Sequence, residues 1–263
     1  MNILCIGDIF GEPGRQAVFQ LLPRLIHQYG IDFVLANADN AAGGKGVTDK
    51  IAEELFKTQI DVITAGNHVW EQESIFPQLE SHPILRPYNL VEKDRGKGWC
   101  VVSSKKGHPV AVVHLQGRVF METKGHKTSS PFKAMDALLK EIRKETPIIL
   151  VDIHAEASAE KKALGWYLDG QVTCVVGTHT HVQTADEEIL PKGTAYMTDL
   201  GMTGPHHSVI GLDVETALKR FLSDGEFKKF KVASEGARLE GLLIGVDEES
   251  GRARQVTRIR KSL

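Results

Sequence analysis

The sequence predicts an α/β fold in which two packed, mixed β-sheets are flanked by helices. Three observations carry that expectation. Short runs rich in Val and Ile alternate with segments of helical period, the mark of the α/β class. The strand candidates number near ten, more than a single parallel sheet readily takes. Two neighbouring pairs, 99–103 with 109–114 and 241–247 with 253–259, look like hairpins and imply antiparallel additions.

In order, strands are expected at 2–6, 32–36, 61–64, 99–103, 109–114, 147–153, 172–176, 194–198, 241–247 and 253–259. Between them, Val18, Leu21, Leu22, Leu25 and Ile26 fall on one helical face, which Pro23 should kink or divide. Phe132, Met135, Leu138, Leu139 and Ile142 repeat the pattern after Ser130-Pro131, an N-cap followed by proline at the first helical position. Val214, Ala217, Leu218, Phe221 and Leu222 form a third stripe capped by Asp213. Ser158 should cap a fourth helix carrying Leu164, Tyr167 and Leu168. The polar stretch 116–130 (QGRVFMETKGHKTSS) reads as a long loop of the kind that binds or covers a site.

Composition sets bounds. The 263 residues carry 32 Lys+Arg and 34 Asp+Glu, a net charge of −2, with 41% hydrophobic and 25% charged residues. That balance excludes a disordered chain and gives no global attraction to nucleic acid or membrane. A single domain over 1–263 is expected, large enough to bury a core without disulfides. No apolar run approaches the ~20 residues of a membrane span, and the N-terminus lacks the pattern of a signal peptide. Cys5, Cys100 and Cys174 are far apart, with no CxxC. Cys5 and Cys174 sit in apolar runs and read as core residues, and the sparse, odd count fits a reducing cytoplasm.

The polar residues cluster where strands end. The run 2–6 leads into Gly7-Asp8, and 32–36 leads into Asn37-Ala38-Asp39-Asn40. The run 61–64 leads into Ala65-Gly66-Asn67-His68, 147–153 into His154, and 172–176 into Gly177-Thr178-His179-Thr180-His181. In α/β sheets ligands gather beyond the carboxyl ends of strands, so these segments should converge on one rim. Singly, each has an ordinary explanation as a turn, a cap or a core histidine. Jointly they are a set of oxygen and nitrogen donors without thiolate, suited to Mn, Fe, Zn or Co. Seven candidate ligands are too many for one tetrahedral ion. They suit two ions sharing a carboxylate, as in phosphoester hydrolysis.

The motifs GDIFGEPGR (7–15), NADNAAGGKG (37–46), GNHVW (66–70), DIHAEAS (152–158), GTHTHVQTADEEILPKGTAYMTDLGMTGP (177–205) and SVIG (208–211) resemble the YmdB-like branch of the calcineurin-like metallophosphoesterases. The resemblance runs from Met1 to Arg260. Phe10 stands where the wider superfamily has its first-motif His, as it does in this branch. The resemblance implies an αββα sandwich, a dinuclear centre of divalent or mixed-valence ions (Fe or Mn foremost, Zn compatible), and phosphodiesterase activity on 2′,3′-cyclic nucleotides such as 2′,3′-cyclic AMP. Carried over by position, Asp8, Asn40 and His181 look like ligands of one metal, and Asn67, His154 and His179 like those of the other. Asp39 matches the bridging carboxylate, where the family usually has Glu, and His68 matches the proton donor in attack by a metal-activated hydroxide. Some family members are linked to RNA metabolism and biofilm control, and a homo-oligomer is admitted. The alternative is a metal-bound regulatory or RNA-associated protein whose hydrolysis is slow or incidental.

Other features have plainer readings. The run 41–46 is Gly-rich but lacks the GK[ST] of a phosphate-binding loop, because Gly46 takes the hydroxyl's place; it reads as a turn. Asp199, Thr203, His206 and His207 read as loop structure or as support behind the ligands, while Asp152 and Glu156 are candidates to orient imidazoles. Arg252, Arg254, Arg258, Arg260 and Lys261 read as a solvated strand face rather than an RNA-contacting patch.

Overall fold

A computed structural model of the chain describes residues 1–92, 95–121, 126–223 and 229–263. Among these residues the strands are β1 (Asn2–Ile6), β2 (Asp8–Ile9), β3 (Phe33–Asn37), β4 (Val62–Thr64), β5 (Ile84–Leu85), β6 (Trp99–Ser103), β7 (Pro109–Gln116), β8 (Ile149–His154), β9 (Cys174–Thr178), β10 (Glu188–Ile189), β11 (Ala195–Met197), β12 (Met202–Pro205), β13 (Ala237–Val246) and β14 (Ala253–Ser262). The helices are α1 (Gly11–Tyr29), α2 (Asp49–Lys57), α3 (Phe76–Ser81), α4 (Pro131–Ile142), α5 (Ser158–Leu168) and α6 (Val214–Leu222).

The strands form two mixed sheets. One runs β2-β12-β13-β1-β3-β4-β5, with β14 also paired to β13; the other runs β10-β11-β9-β8-β7-β6. Within them β1, β3 and β4 are mutually parallel, as are β7, β8 and β9. Both expected hairpins form, β6 with β7 and β13 with β14.

Strand alternation sorts side chains into three buried layers. Leu4 and Ile6 of β1 face Val18, Leu22 and Leu25 of α1. Ile3 and Cys5 of the same strand face Val112, Leu150 and Cys174 of the other sheet. Ile149, Val151 and Ile153 of β8 face Met135, Leu138 and Leu164 of α4 and α5. Helix, sheet, sheet and helix therefore stack in that order, as expected. The inter-sheet layer also receives the polar alternates His114 and Asp152, both buried.

Several expectations are corrected. α1 runs unbroken through Pro23, which lies on the solvent face while Leu21, Leu22 and Leu25 anchor the helix on either side of it. The buried face of α5 is Lys161, Leu164, Gly165 and Leu168; Tyr167 is exposed and donates to Asp136. Ala157, not Ser158, stands at its N-cap. On α6 only Thr216 and Ala217 are buried, so most of the expected stripe faces outward. β2, β5, β10 and β12 were too short to show a period, and α2 and α3 were not anticipated. Of the expected loop 116–130, Gln116 instead ends β7, Thr128 bridges to Leu90, and 122–125 lie outside the described residues. No described helix is long and apolar enough to cross a membrane.

Gly165 lets α5 pack closely on Tyr196 of β11. A Cβ there would stand 2.4 Å from Tyr196 Cδ2. Tyr196 cannot yield readily: it is fully buried, its hydroxyl pairs with Thr198 at 3.0 Å, and the Lys162 ammonium lies over its ring. Gly165→Ala gains ~1 kcal/mol of helix propensity but incurs ~1–3 kcal/mol of overpacking. We expect a net loss, read as a melting temperature lower by about 2–4 °C per kcal/mol in a chain of this size.

Candidate metal centre

The two sheets contribute different chemistry to one rim. The first supplies oxygen donors: Asp8 just past β1, Asp39 and Asn40 just past β3, and Asn67 just past β4. The second supplies nitrogen donors: His154, the last residue of β8, and His179 and His181, just past β9. Gly66 makes the meeting possible, because a Cβ there would lie 2.3 Å from the His154 ring.

The seven residues gather in two neighbouring groups. His154 Nε2 lies 3.0 Å from Asn67 Oδ1, 3.1 Å from His179 Nδ1 and 3.3 Å from Asp39 Oδ2. His181 Nε2 lies 3.2 Å from Asn40 Oδ1 and 3.7 Å from Asp8 Oδ1. Asp8 Oδ1 is also 3.8 Å from His154 Nδ1, which brings the groups side by side. Two ligands about 2.1 Å from one cation, at angles between 90° and 109°, lie about 3.0–3.4 Å apart. The spacings around His154 match that range.

The outward nitrogens reveal the tautomers. Thr178 Oγ1 donates to Asp152 Oδ1 at 2.8 Å, so it accepts from His154 Nδ1 at 3.0 Å. His179 Nε2 faces Glu156 Oε2 at 3.2 Å, and His181 Nδ1 faces the Ile210 carbonyl at 3.0 Å. In the neutral rings each remote nitrogen thus carries the proton, and each inner nitrogen presents a lone pair to other lone pairs. No hydrogen bond reaches Asp8 Oδ1 or Asp39 Oδ2, both buried. Such a constellation repels itself unless positive charge fills it.

Charge balance agrees. Burial pushes the Asp8 carboxyl up from its ordinary value despite His181 and His154 nearby. Burial also opposes ionisation of Asp39, but His154 and the His68 N–H outweigh it and hold the carboxyl at about 2. His154 is pushed down by burial yet ends raised, because the Asp39 and Asp8 carboxylates beside it favour its charged form. Burial and the neighbouring His154 push His179 down to about 2, leaving it neutral. The donor set therefore fits one or more cations held between the sheets.

The ligand loop is strained. His179 (φ 98°) and His181 (φ 62°) adopt left-handed backbone, as does the β-branched Ile210 (φ 46°) that receives His181. Such residues cost of order 1–3 kcal/mol each and persist only where their surroundings hold them. The ring of Phe10 stands edge-on to His181, 5.4 Å between centroids.

His68 sits on the same rim. Its backbone N–H donates to Asp39 Oδ1 at 3.0 Å, and its Nδ1 lies 3.4 Å from Glu71 Oε1. Asp152 and Glu156 do face imidazoles, Asp152 through Thr178. Thr178, Ile210 and Lys161 were not singled out by sequence. A lysine in register with Leu164 and Leu168 was the one available signal. Asp199 lies behind the centre, with its carboxylate on Lys161 and Thr180. Arg254, Arg258 and Arg260 pair with Asp247, Glu187 and Glu240, consistent with a solvated strand face.

Comparisons with known proteins bear on this rim. A family model described as YmdB-like protein matches residues 4–259. A 2′,3′-cyclic-nucleotide 2′-phosphodiesterase from Bacillus subtilis (strain 168) is 46% identical over 98% of this chain and 96% of its own. A solved structure from Mycoplasma pneumoniae, described as a novel phosphatase, is 34% identical with a TM-score of 0.92, covering 100% of this chain and 93% of that one. A putative 5′-nucleotidase from Staphylococcus aureus, 14% identical, superposes with a TM-score of 0.59 over 98% of this chain and 54% of that one, a likeness of fold alone.

Thr178→Val keeps the side chain's volume but leaves the His154 Nδ1 proton and Asp152 Oδ1 unpaired. We expect a cost of about 1–3 kcal/mol in thermal unfolding. If His154 is a metal ligand, metal titration should show an affinity about 10–100-fold weaker for one ion. Unchanged titration curves would remove Thr178 from the ligand-orienting role.

Proposed function

The chain belongs to the YmdB-like family, and from that premise we propose that it is a dinuclear-metal phosphodiesterase acting on 2′,3′-cyclic nucleotides. The carrying observation is the set of three inward-facing imidazole lone pairs beside two buried, hydrogen-bond-free carboxylate oxygens of Asp8 and Asp39. The name of the Bacillus subtilis relative supports the substrate class. The oxygen and nitrogen donors, with no thiolate, favour Fe or Mn, and Zn is compatible.

In this reading Asp8, Asn40 and His181 would hold one ion, and Asn67, His154 and His179 would hold the other. Asp39 would be the carboxylate shared by the two ions; its Oδ2 lies beside His154 Nε2, and the His68 N–H donates to its Oδ1. Asp is one methylene shorter than the family's usual Glu, and the backbone contact from His68 keeps its carboxylate in register. Bound cations supply Lewis-acid charge to the phosphate oxygens and a nucleophilic water at neutral pH. The polypeptide's own tasks are orientation and proton transfer. His68 protonates the departing ribose oxygen, a role open to an imidazole near neutral pH.

Metal titration of alanine variants tests the pairing. His154→Ala and His179→Ala should weaken the same ion, and His181→Ala the other. Equal retention of a single ion in all three variants would overturn the assignment.

The role of His68 is separable from metal binding. A ribose alkoxide leaves badly without a proton, whereas p-nitrophenolate is already stable as an anion. His68→Ala should slow 2′,3′-cyclic AMP hydrolysis by roughly 10²–10⁴-fold and bis-p-nitrophenyl phosphate hydrolysis much less, with both ions retained. Equal losses on the two substrates would instead make His68 a phosphate-binding group.

A further inference from the structure

Lys161 is a lysine in the wrong place for solvation. It is 1% exposed, on the sheet-facing side of α5, and its partner Asp199 is 0% exposed. Its ammonium donates to Asp199 Oδ2 at 2.7 Å, to the Thr178 carbonyl at 2.8 Å and to Thr180 Oγ1 at 3.3 Å. All three of its protons are therefore used. Asp199 Oδ2 also accepts from Thr180 N–H at 3.1 Å and from Thr180 Oγ1 at 2.5 Å, while Oδ1 accepts from Gly201 N–H at 2.8 Å.

The sheet makes room for this side chain. At Gly177 of β9 a Cβ would lie 2.7 Å from Lys161 Cδ and 1.9 Å from the Thr198 carbonyl. Any larger residue there would block the lysine's path.

Thr180 is the middle residue of His179-Thr180-His181, and both histidines around it have positive φ. An isolated chain would relax out of that conformation. We propose that Lys161 and Asp199 are positioning residues: a buried ion pair that clamps Thr180 and so holds His179 and His181 in the strained turn that aims both imidazoles at the metal centre. The inference rests on the metal-binding reading above and extends it. Because one threonine serves two histidines assigned to different ions, the clamp couples the two sites. Thr178, by contrast, orients His154 alone.

The test uses the full chain with three substitutions. Lys161→Met combined with Asp199→Asn removes both charges at nearly constant volume, so no lone buried ion remains. Thr180→Val deletes one hydroxyl and keeps the ion pair, which covers the case in which the double variant does not fold. Gly165→Ala, on the same helix, is the control for destabilisation alone. Mn²⁺ titration against a competing chelator should show both affinities reduced about 10–100-fold in the double variant. Thr180→Val should lower both by a smaller factor, and Gly165→Ala should leave both within about threefold. Crystals of the metal-free double variant should show His179 or His181 returned to negative φ. Both turns intact in the metal-free variant, or both affinities unchanged in either clamp variant, would falsify the proposal. If the parent chain binds no metal at these histidines, the dinuclear reading fails instead, and the backbone of the metal-free variant still decides the clamp.

Discussion

The hydroxyl of Thr178 is the hinge of the site's chemistry. Its single proton goes to Asp152, so its lone pairs must receive the His154 Nδ1 proton and the Asn37 amide. Asn37 belongs to β3 of one sheet and Asp152 and Thr178 to strands of the other. One oxygen thus fixes a tautomer and, together with the Asn37 and Thr64 side chains that donate to Asp152, joins the two sheets by polar contacts. Burial resists the Asp152 negative charge, yet His114 beside it and the Thr64 hydroxyl hold its carboxyl at about 2. That persistent negative charge keeps Thr178 donating toward Asp152, so that in the neutral ring of His154 the proton stays on Nδ1 and the lone pair on Nε2.

Behind this layer the molecule spends buried polar groups on orientation rather than on stability. A buried ion pair seldom outweighs its own desolvation, so Lys161 and Asp199 add little to the fold compared with an apolar pair of the same size. Their value lies in where they hold Thr180. Two exposed residues serve the same end, Glu156 on His179 and Ile210, through its carbonyl, on His181. Each imidazole has its own tether, and every tether comes from a group that is not itself a ligand in the proposed centre.

Much of this was legible in the sequence because the strands are buried on both faces and end in abrupt polar clusters. The strands 2–6 and 99–103 are found at the expected residues, and the layers follow from alternation. The seven predicted donors do meet, because parallel strands deliver their carboxyl ends to one rim. What escaped notice lacked a local signature. β12 is four residues long and owes its existence to pairing with β2 and β13. Pro23 did not divide α1, because packing on both sides of it outweighed the lost hydrogen bond. Lys161 was hidden by the ordinary expectation that lysines face water, and Tyr167 was placed inward by the same periodicity that should have flagged the lysine. Tertiary charge pairing decided both.

The division of donors between the sheets has a consequence for assembly. All the oxygen donors lie on one sheet and all the nitrogen donors on the other, so neither sheet alone can offer a complete cage. In the proposed centre a complete set of donors forms only when the two halves dock, and an ion bound there would hold them together. In the proposed centre the polypeptide would therefore first close over a cluster of buried donors that repel one another. Folding and loading would then be two events in a fixed order, the second relieving a repulsion that the first creates.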